Sequence, residues 1–355
     1  SLLCVILLYL YPYLFGHAQI NGKDIPFMSA WIISTFFLFK IIEKFYHDEK
    51  SDFKTILLIS FVTAFLISIR VTGILILLEY LIGLIILLNI KKVNFFSFLN
   101  KNKNFFIFFP IFLLFFIYII NPVLWLNPLE LINSIKWMGK YYHDVCTLTL
   151  GSCMKALNLP SSYIFIWLFF KLPMIILFGL AIFPFIEKKI FNHGLKTIFY
   201  GIISITTLSI LFLLILKNVA LYDEIRHIMF LIPFIFLIGL FNIFILNKKL
   251  FYITSIFVVI FFITENISLK KYQYTWLNSL AKFTDIQKNF EIDYMGISNK
   301  NLQLEIYEYS LKNNISKSTC IYGNSYSDVF LSKKGFTCFK LYSSLDSAKD
   351  RPFFA

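Results

Sequence analysis

Arginine is nearly absent from this chain, and charge of any kind is scarce. The 33 basic residues are 30 Lys and only Arg70, Arg226 and Arg351. Asp, Glu, Lys and Arg together make up 15% of the 355 residues, against roughly 25% in an ordinary soluble domain. With 58% of the residues hydrophobic, a soluble fold of this length has too little interior to hide its apolar surface. That excludes a water-soluble globular protein. Other absences narrow the field. The five cysteines lack the CxxC or Cys/His spacing of a zinc site. No period of 20–50 residues repeats, which argues against solenoids and propellers. No basic segment precedes the first apolar run, so a signal peptide is not expected. The chain opens on Ser inside that run, and the expectation is that a piece carrying an even number of spans is missing upstream.

What is present is apolar and comes in blocks. Stretches such as 56–69, 105–120 and 198–216 carry no charge, and a membrane-crossing helix needs roughly 20 mostly apolar residues. Helical spans are expected at about 1–15, 26–46, 54–69, 71–90, 105–121, 162–186, 197–216, 227–246 and 249–265. The Lys-rich segments 40–54, 91–104, 187–196 and 247–249 read as cytoplasmic loops under the positive-inside rule. The less basic segments 16–25, 122–161 and 217–226 then lie outside, and 54–90 is a hairpin turning outside at Ile69-Arg70-Val71-Thr72-Gly73. A net charge of +13 spread over such loops is not a nucleic-acid footprint. Residues 266–355 change character, with a helix-like run at 300–312, an alternating stretch at 319–330 and turn signals at Gly323 and Gly335. The expected fold is an all-α polytopic protein of about nine transmembrane helices (1–265). A small α+β extracytoplasmic tail (266–355) would follow, the whole lying in the inner (plasma) membrane. Cys146 and Cys153 share one outer loop and Cys320 and Cys338 share the tail; disulfides and free thiols both remain open.

Forty-four Phe beside so few Arg point to a compositional bias in the gene. Under it Phe is a weak signal, and each Arg is a strong one. Four polar segments fall on the outer face: His17 to Pro26, Arg70 to Gly73, Tyr141-Tyr142-His143-Asp144, and Leu221-Tyr222-Asp223-Glu224-Ile225-Arg226-His227. Lys would satisfy a generic need for charge, so Arg70 and Arg226 suggest a guanidinium fork on phosphate or carboxylate. Pairing with Asp24, Asp223 or Glu224 to tie helices together explains them equally well. His17 and His227 can hydrogen-bond at helix ends without any chemical role, and Asp24 can cap the helix that Pro26 begins. Glu79 lies within a span and receives no role. A membrane-face pocket with carboxylates, guanidinium and His suits glycosyl transfer from a lipid-phosphate sugar. Such a donor offers a phosphate to cations, and the acceptor hydroxyl needs a carboxylate base.

The run Phe15-Gly16-His17-Ala18 through Asn21-Gly22-Lys23-Asp24-Ile25-Pro26 resembles the second-loop pattern of bacterial GT-C membrane glycosyltransferases. These are relatives of the dolichyl-phosphate-mannose protein mannosyltransferases and of the lipid A aminoarabinose transferase. Ile69 to Gly73, Trp125-Leu126-Asn127-Pro128, Leu221 to His227, Tyr272 to Asn278 and Phe290 to Gly296 are similar to segments of one uncharacterised branch. The resemblance implies an inverting transferase with a polyprenyl-phosphate sugar as donor and an active site on the outer face. Asp24 and Asp223 would be the catalytic carboxylates. Arg70, Arg226, His227, Lys23, Tyr222 and His17 would bind substrate. No cofactor is certain, and a divalent metal at Asp24 remains open. In that family the acidic residue credited with activating the acceptor sits in a first outer loop that this sequence lacks, consistent with two missing spans. The alternatives are a lipid-linked sugar transporter or flippase, and a membrane partner subunit without chemistry of its own.

Overall fold

The structure is a computed structural model and describes residues 2–138, 145–191, 194–323 and 328–341. Its contacts divide it into two compact units, Ser1–Glu291 and Ile292–Ala355.

The first unit is helical: α1 Leu2–Leu10, α2 Pro12–Ile20, α3 Asp24–Tyr46, α4 Phe53–Ile69, α5 Ile76–Lys91, α6 Phe95–Lys101, α7 Lys103–Ile120, and the short α8 Val123–Leu126 and α9 Glu130–Met138. A hairpin of β1 Cys146–Thr149 and β2 Ser152–Lys155 follows. After it come α10 Tyr163–Lys171, α11 Met174–Ala181, α12 Phe183–Ile190, α13 Leu195–Leu216, α14 Ile232–Leu246, α15 Lys248–Leu269 and α16 Ile286–Asn289. Among the described residues, six helices are long and apolar enough to cross a membrane, or up to eight if each of two bent pairs is one span. The side chains they turn outward are themselves apolar, as at Leu208, Phe212, Phe257 and Leu114. An outward apolar coat is tolerated where the solvent is lipid. This is a multi-pass membrane protein.

Helix boundaries follow local chemistry. The Asp52 carboxylate caps α4 by accepting from the Thr55 amide at 3.1 Å, and Asn247 caps α15 by accepting from the Leu250 amide at 3.1 Å. Each supplies an acceptor to an N–H that has no partner within its own helix. Between α4 and α7 the buried Ala64, Ile67, Leu113, Ile117 and Leu124 form one apolar cluster. Lys91, at the end of α5, donates to the carbonyls of Phe45 and Tyr46 at the end of α3. Asp24 and Arg70 therefore mark one end of the bundle and Lys91 the other, and α3 alone is roughly 34 Å long.

Two stretches expected as single spans are broken. The first bends by 64° between α1 and α2, and the other by 119° between α10 and α11. Pro12 and Pro173 sit at these breaks, where proline lacks the amide that would continue the helix. Each break frees carbonyls that hydrocarbon cannot solvate, and side chains from elsewhere satisfy them. Asn266 donates to the Leu10 carbonyl at 2.7 Å, and the Tyr11 hydroxyl donates to the Lys171 carbonyl at 2.5 Å. The Asn278 amide side chain spans the carbonyls of Phe169 (2.6 Å) and Leu172 (2.8 Å), and its backbone amide donates to Phe170 at 2.8 Å. Asn278→Leu is expected to lower stability by about 2–3 kcal/mol, since it leaves two buried carbonyls unpaired. A melt of the purified protein in detergent with no shift in midpoint would contradict this.

Residues 266–291 pack onto the helical unit, burying Tyr274, Trp276 and Phe290, so the division lies beyond the change in composition at 265. The second unit contains α17 Asn299–Lys312 and a parallel pair, β3 Ile321–Gly323 with β4 Phe339–Leu341, connected through α18 Asp328–Lys333. Parallel neighbours need such a crossover. Leu331 and Phe336 are buried, and Cys320 is joined to Cys338. The expected alternating stretch from 319 is thus a short strand that gives way to a helix from Asp328. In the first unit a disulfide joins Cys146 to Cys153 across the hairpin.

Candidate functional site

Three of the four polar segments meet at one point; the fourth, Tyr141-Tyr142-His143-Asp144, lies outside the described residues. The centre is Asp24, in the first turn of α3. Its carboxylate lies 2.5 Å from the Arg70 guanidinium and 3.7 Å from that of Arg226, which also reaches Asp223 at 3.1 Å. Segments separated by about 46 and 156 positions (24 to 70, 70 to 226) are thereby joined through charge. Asp24 is not the helix cap that its position suggests. The Asn21 side-chain oxygen accepts from the Lys23 and Asp24 amides at 3.2 and 2.9 Å, and its amide donates to the Asp24 carboxylate at 2.8 Å. Lys23 occupies the cap position without a side-chain bond; Asn21 holds the turn that enters the helix, which leaves the Asp24 carboxylate for the arginines.

Asp223 and Glu224 both adopt left-handed backbone conformations, with φ of 56° and 63°. Non-glycine residues rarely do so, at a cost on the order of 1–3 kcal/mol each unless the surroundings enforce it. Here they do. The Asp223 amide donates to the Thr147 hydroxyl at 3.2 Å, and the Tyr163 hydroxyl donates to the Glu224 carbonyl at 3.3 Å. The Glu224 side chain is clamped at 2.7 Å by Lys171, and both side chains are fully buried. Lys171 also lies over the Tyr13 ring, 4.6 Å from its centre. Beneath the corner, the disulfide-closed hairpin seats Thr149 against the Trp167 indole N–H at 3.0 Å and pairs with Phe290 and Glu291.

Placement sorts the expected residues. Asp24, Arg70, Asp223 and Arg226 form the cluster, and the two arginines and Asp223 retain partial exposure (17%, 18% and 16%). Tyr222 holds this edge, with its ring 5.3 Å from the Arg226 guanidinium and 4.5 Å from the His227 ring. Lys23 is exposed beside it. His17 is fully enclosed, against the Tyr13 and Tyr274 rings, and is connected to the cluster by Asn21, whose amide lies 3.2 Å from its Nδ1. Glu224 pairs with Lys171. Glu79 accepts a hydrogen bond from the Trp31 indole at 2.8 Å, deep in the helices.

Burial raises the pKa of Asp223 above the usual carboxylate range, and Asp24 adds to this while Arg226 opposes it. Glu291, nearby through the hairpin, is raised mainly by burial. Two carboxylates and two guanidinium groups cancel in charge, so the cluster is a preformed neutral network with polar edges. Among the described residues there is no group of three or more His, Cys, Asp or Glu side chains able to hold a metal ion. The signal that sequence reading passed over is Lys171, a single charge inside the run 162–186. Thr147, Tyr163 and Tyr13 carried no signal of their own. No protein-family model, curated protein or solved structure matches this chain.

Proposed function

We propose that the protein is a GT-C-like membrane glycosyltransferase of nine or more spans. Its donor would be a polyprenyl-phosphate sugar and its acceptor a hydroxyl at the outer face of the plasma membrane, with the C-terminal unit on that side. The observation that carries the reading is the Asp24–Arg70–Arg226–Asp223 cluster, set at the end of the helices opposite Lys91 and beside a strained corner. The resemblance of the segments around Asp24 and Arg226 supports it. Arg70 and Arg226 suit a donor phosphate because their planar forks match its oxygens. Asp24, engaged by both, acts as their organiser, a poor position for a base. Asp223, partly exposed and with a raised pKa, is the better base. In the step, the acceptor oxygen attacks the anomeric carbon while Asp223 takes its proton. The bond from carbon to phosphate oxygen breaks, and the electron pair leaves with the polyprenyl phosphate.

A base works ionised, so the rate falls as pH drops through a pKa displaced upward from the ordinary carboxylate value. Transfer from a radiolabelled polyprenyl-phosphate hexose in proteoliposomes tests this. Asp223→Asn should lower the rate on the order of 10²–10⁴-fold, and Arg226→Lys on the order of 10²-fold. Wild-type rates from either variant would sink the assignment. A second reading draws on the two broken spans and the buried Lys171–Glu224 pair at one of them, since transporters place their sites at discontinuous helices. Appearance of the labelled lipid in the opposite leaflet without any transferred sugar would favour that flippase reading.

A further inference from the structure

At the lysine end of the bundle, Asp48, Lys91, Lys101, Leu87, Val93 and Phe98 line a recess of ≈ 180 Å³. An adjoining depression shares Leu88 and Val93 with it and adds Ile85, Lys92 and Phe95. Leu81, Ile85, Leu88 and Lys92 recur at helical spacing along and just beyond α5, so they share one face. Leu81 and Ile85 are exposed on it. An apolar track thus leads directly into a basic recess. Lys91 and Lys101 face one carboxylate in the recess, and Lys92 lines the adjoining depression. Asp48 is already engaged by Lys91 at 2.7 Å and Lys101 at 2.5 Å, which holds its pKa down to about 2. Lys92 makes no ion pair among the described residues. Across the recess, α6 is fixed by buried Phe98, whose ring meets Phe45 edge-on at 5.2 Å. Phe95 and Phe96 on the same short helix are exposed. Aromatic rings beside lysines, at the end of an apolar bundle, suit the headgroup level of a bilayer.

We propose that the recess and the adjoining depression together bind an anionic phospholipid, with its phosphate where they join, between Lys92 and Lys101, and an acyl chain along the Leu81–Ile85–Leu88 track. The excess of cations selects an anionic headgroup, and the apolar track distinguishes a lipid from a free anion. The site is independent of the transfer reading and does not depend on it.

The test is native mass spectrometry of the full chain in neutral detergent, supplied separately with phosphatidylglycerol, phosphatidylcholine and inorganic phosphate. Each lysine near an anionic lipid contributes roughly five-fold in affinity. Lys92→Gln/Lys101→Gln is therefore expected to lose phosphatidylglycerol retention by about 25-fold, down to the phosphatidylcholine level. Lys248→Gln/Lys249→Gln, in another lysine segment, should retain it as wild type does. Lys91 is left intact because it ties α5 to α3. Equal retention of the two lipids by wild type, or undiminished phosphatidylglycerol retention by the Lys92/Lys101 variant, overturns the proposal. Displacement of the lipid by millimolar phosphate would reduce the recess to a simple anion site and also overturn it. If the double variant lacks a thermal transition, exposed Lys92→Gln alone decides, and an unchanged lipid preference counts against the site.

Discussion

Lys171→Met is expected to destabilise the protein by about 3–5 kcal/mol, the cost of removing one partner from a buried ion pair. Lys171 and Glu224 are both completely enclosed, 2.7 Å apart, so no water compensates Glu224 when the ammonium group is gone. The obligatory control is Lys171→Met/Glu224→Leu. Replacing both partners with apolar groups removes the uncompensated charge, and buried pairs exchanged in this way often lose little or gain. The double variant should therefore melt well above the single one. The pH dependence separates this account from a simple packing defect. Burial raises the pKa of Glu224, and Lys171 pulls it back; without Lys171 it rises further. In Lys171→Met the unfolded chain ionises Glu224 above about pH 4.3, while the folded form keeps the proton. A raised folded pKa means that stability falls as pH climbs between these values. The deficit of the single variant relative to the double should thus grow from pH 5 to pH 8. A deficit constant across that range would show that lost packing, and not the stranded carboxylate, sets the cost.

The same pair shows what the sequence could and could not convey. The apolar blocks were legible because a helix in lipid needs length and hydropathy, which are properties of neighbouring residues. Arg70 and Arg226 were legible because their rarity made each one conspicuous, and they meet at Asp24 as expected of residues on one face. Lys171 was not, because a single ammonium group near the middle of the run 162–186 gives no sign that the span turns by 119° just beyond it. Its partner lies 53 positions away (171 to 224), on a segment that α10 also meets through Tyr163. Asp24 read as a cap because Asp often caps; Asn21 instead holds the turn before the helix, through contacts that spacing alone does not rank. The left-handed conformation of Asp223 and Glu224 runs against residue preference. It follows from Thr147, Tyr163 and Lys171, which are distant in sequence.

Gly16→Ala should cost at or above the upper end of the roughly 1–3 kcal/mol typical of overpacking. A Cβ at Gly16 would lie 2.1 Å from the Tyr274 backbone nitrogen, where no flexible side chain can yield. Local preference predicts the opposite sign, since alanine is favoured over glycine inside a helix by about 1 kcal/mol, and Gly16 is inside α2. The sign of the change therefore decides between propensity and contact. Gly22, with nothing within 4 Å of an added Cβ, provides the control from the same stretch, and Gly22→Ala should leave the melting midpoint almost unmoved. Gly179 repeats the experiment elsewhere: its Cβ would approach the Gly239 carbonyl oxygen to 2.2 Å, where α11 crosses α14. Glycine lets helix backbones touch at such crossings in membranes. The two sites differ in what they hold. Gly16 presses α2 against the residue 273–275 segment beside His17 and Lys171, so its alanine variant should also disturb the Asp24 cluster. Gly179 lies in the distant helix crossing, so its variant should lose stability while the fraction that remains folded keeps the wild-type pH profile. Equal melting midpoints for Gly16→Ala and Gly22→Ala would refute the close approach on which this argument depends.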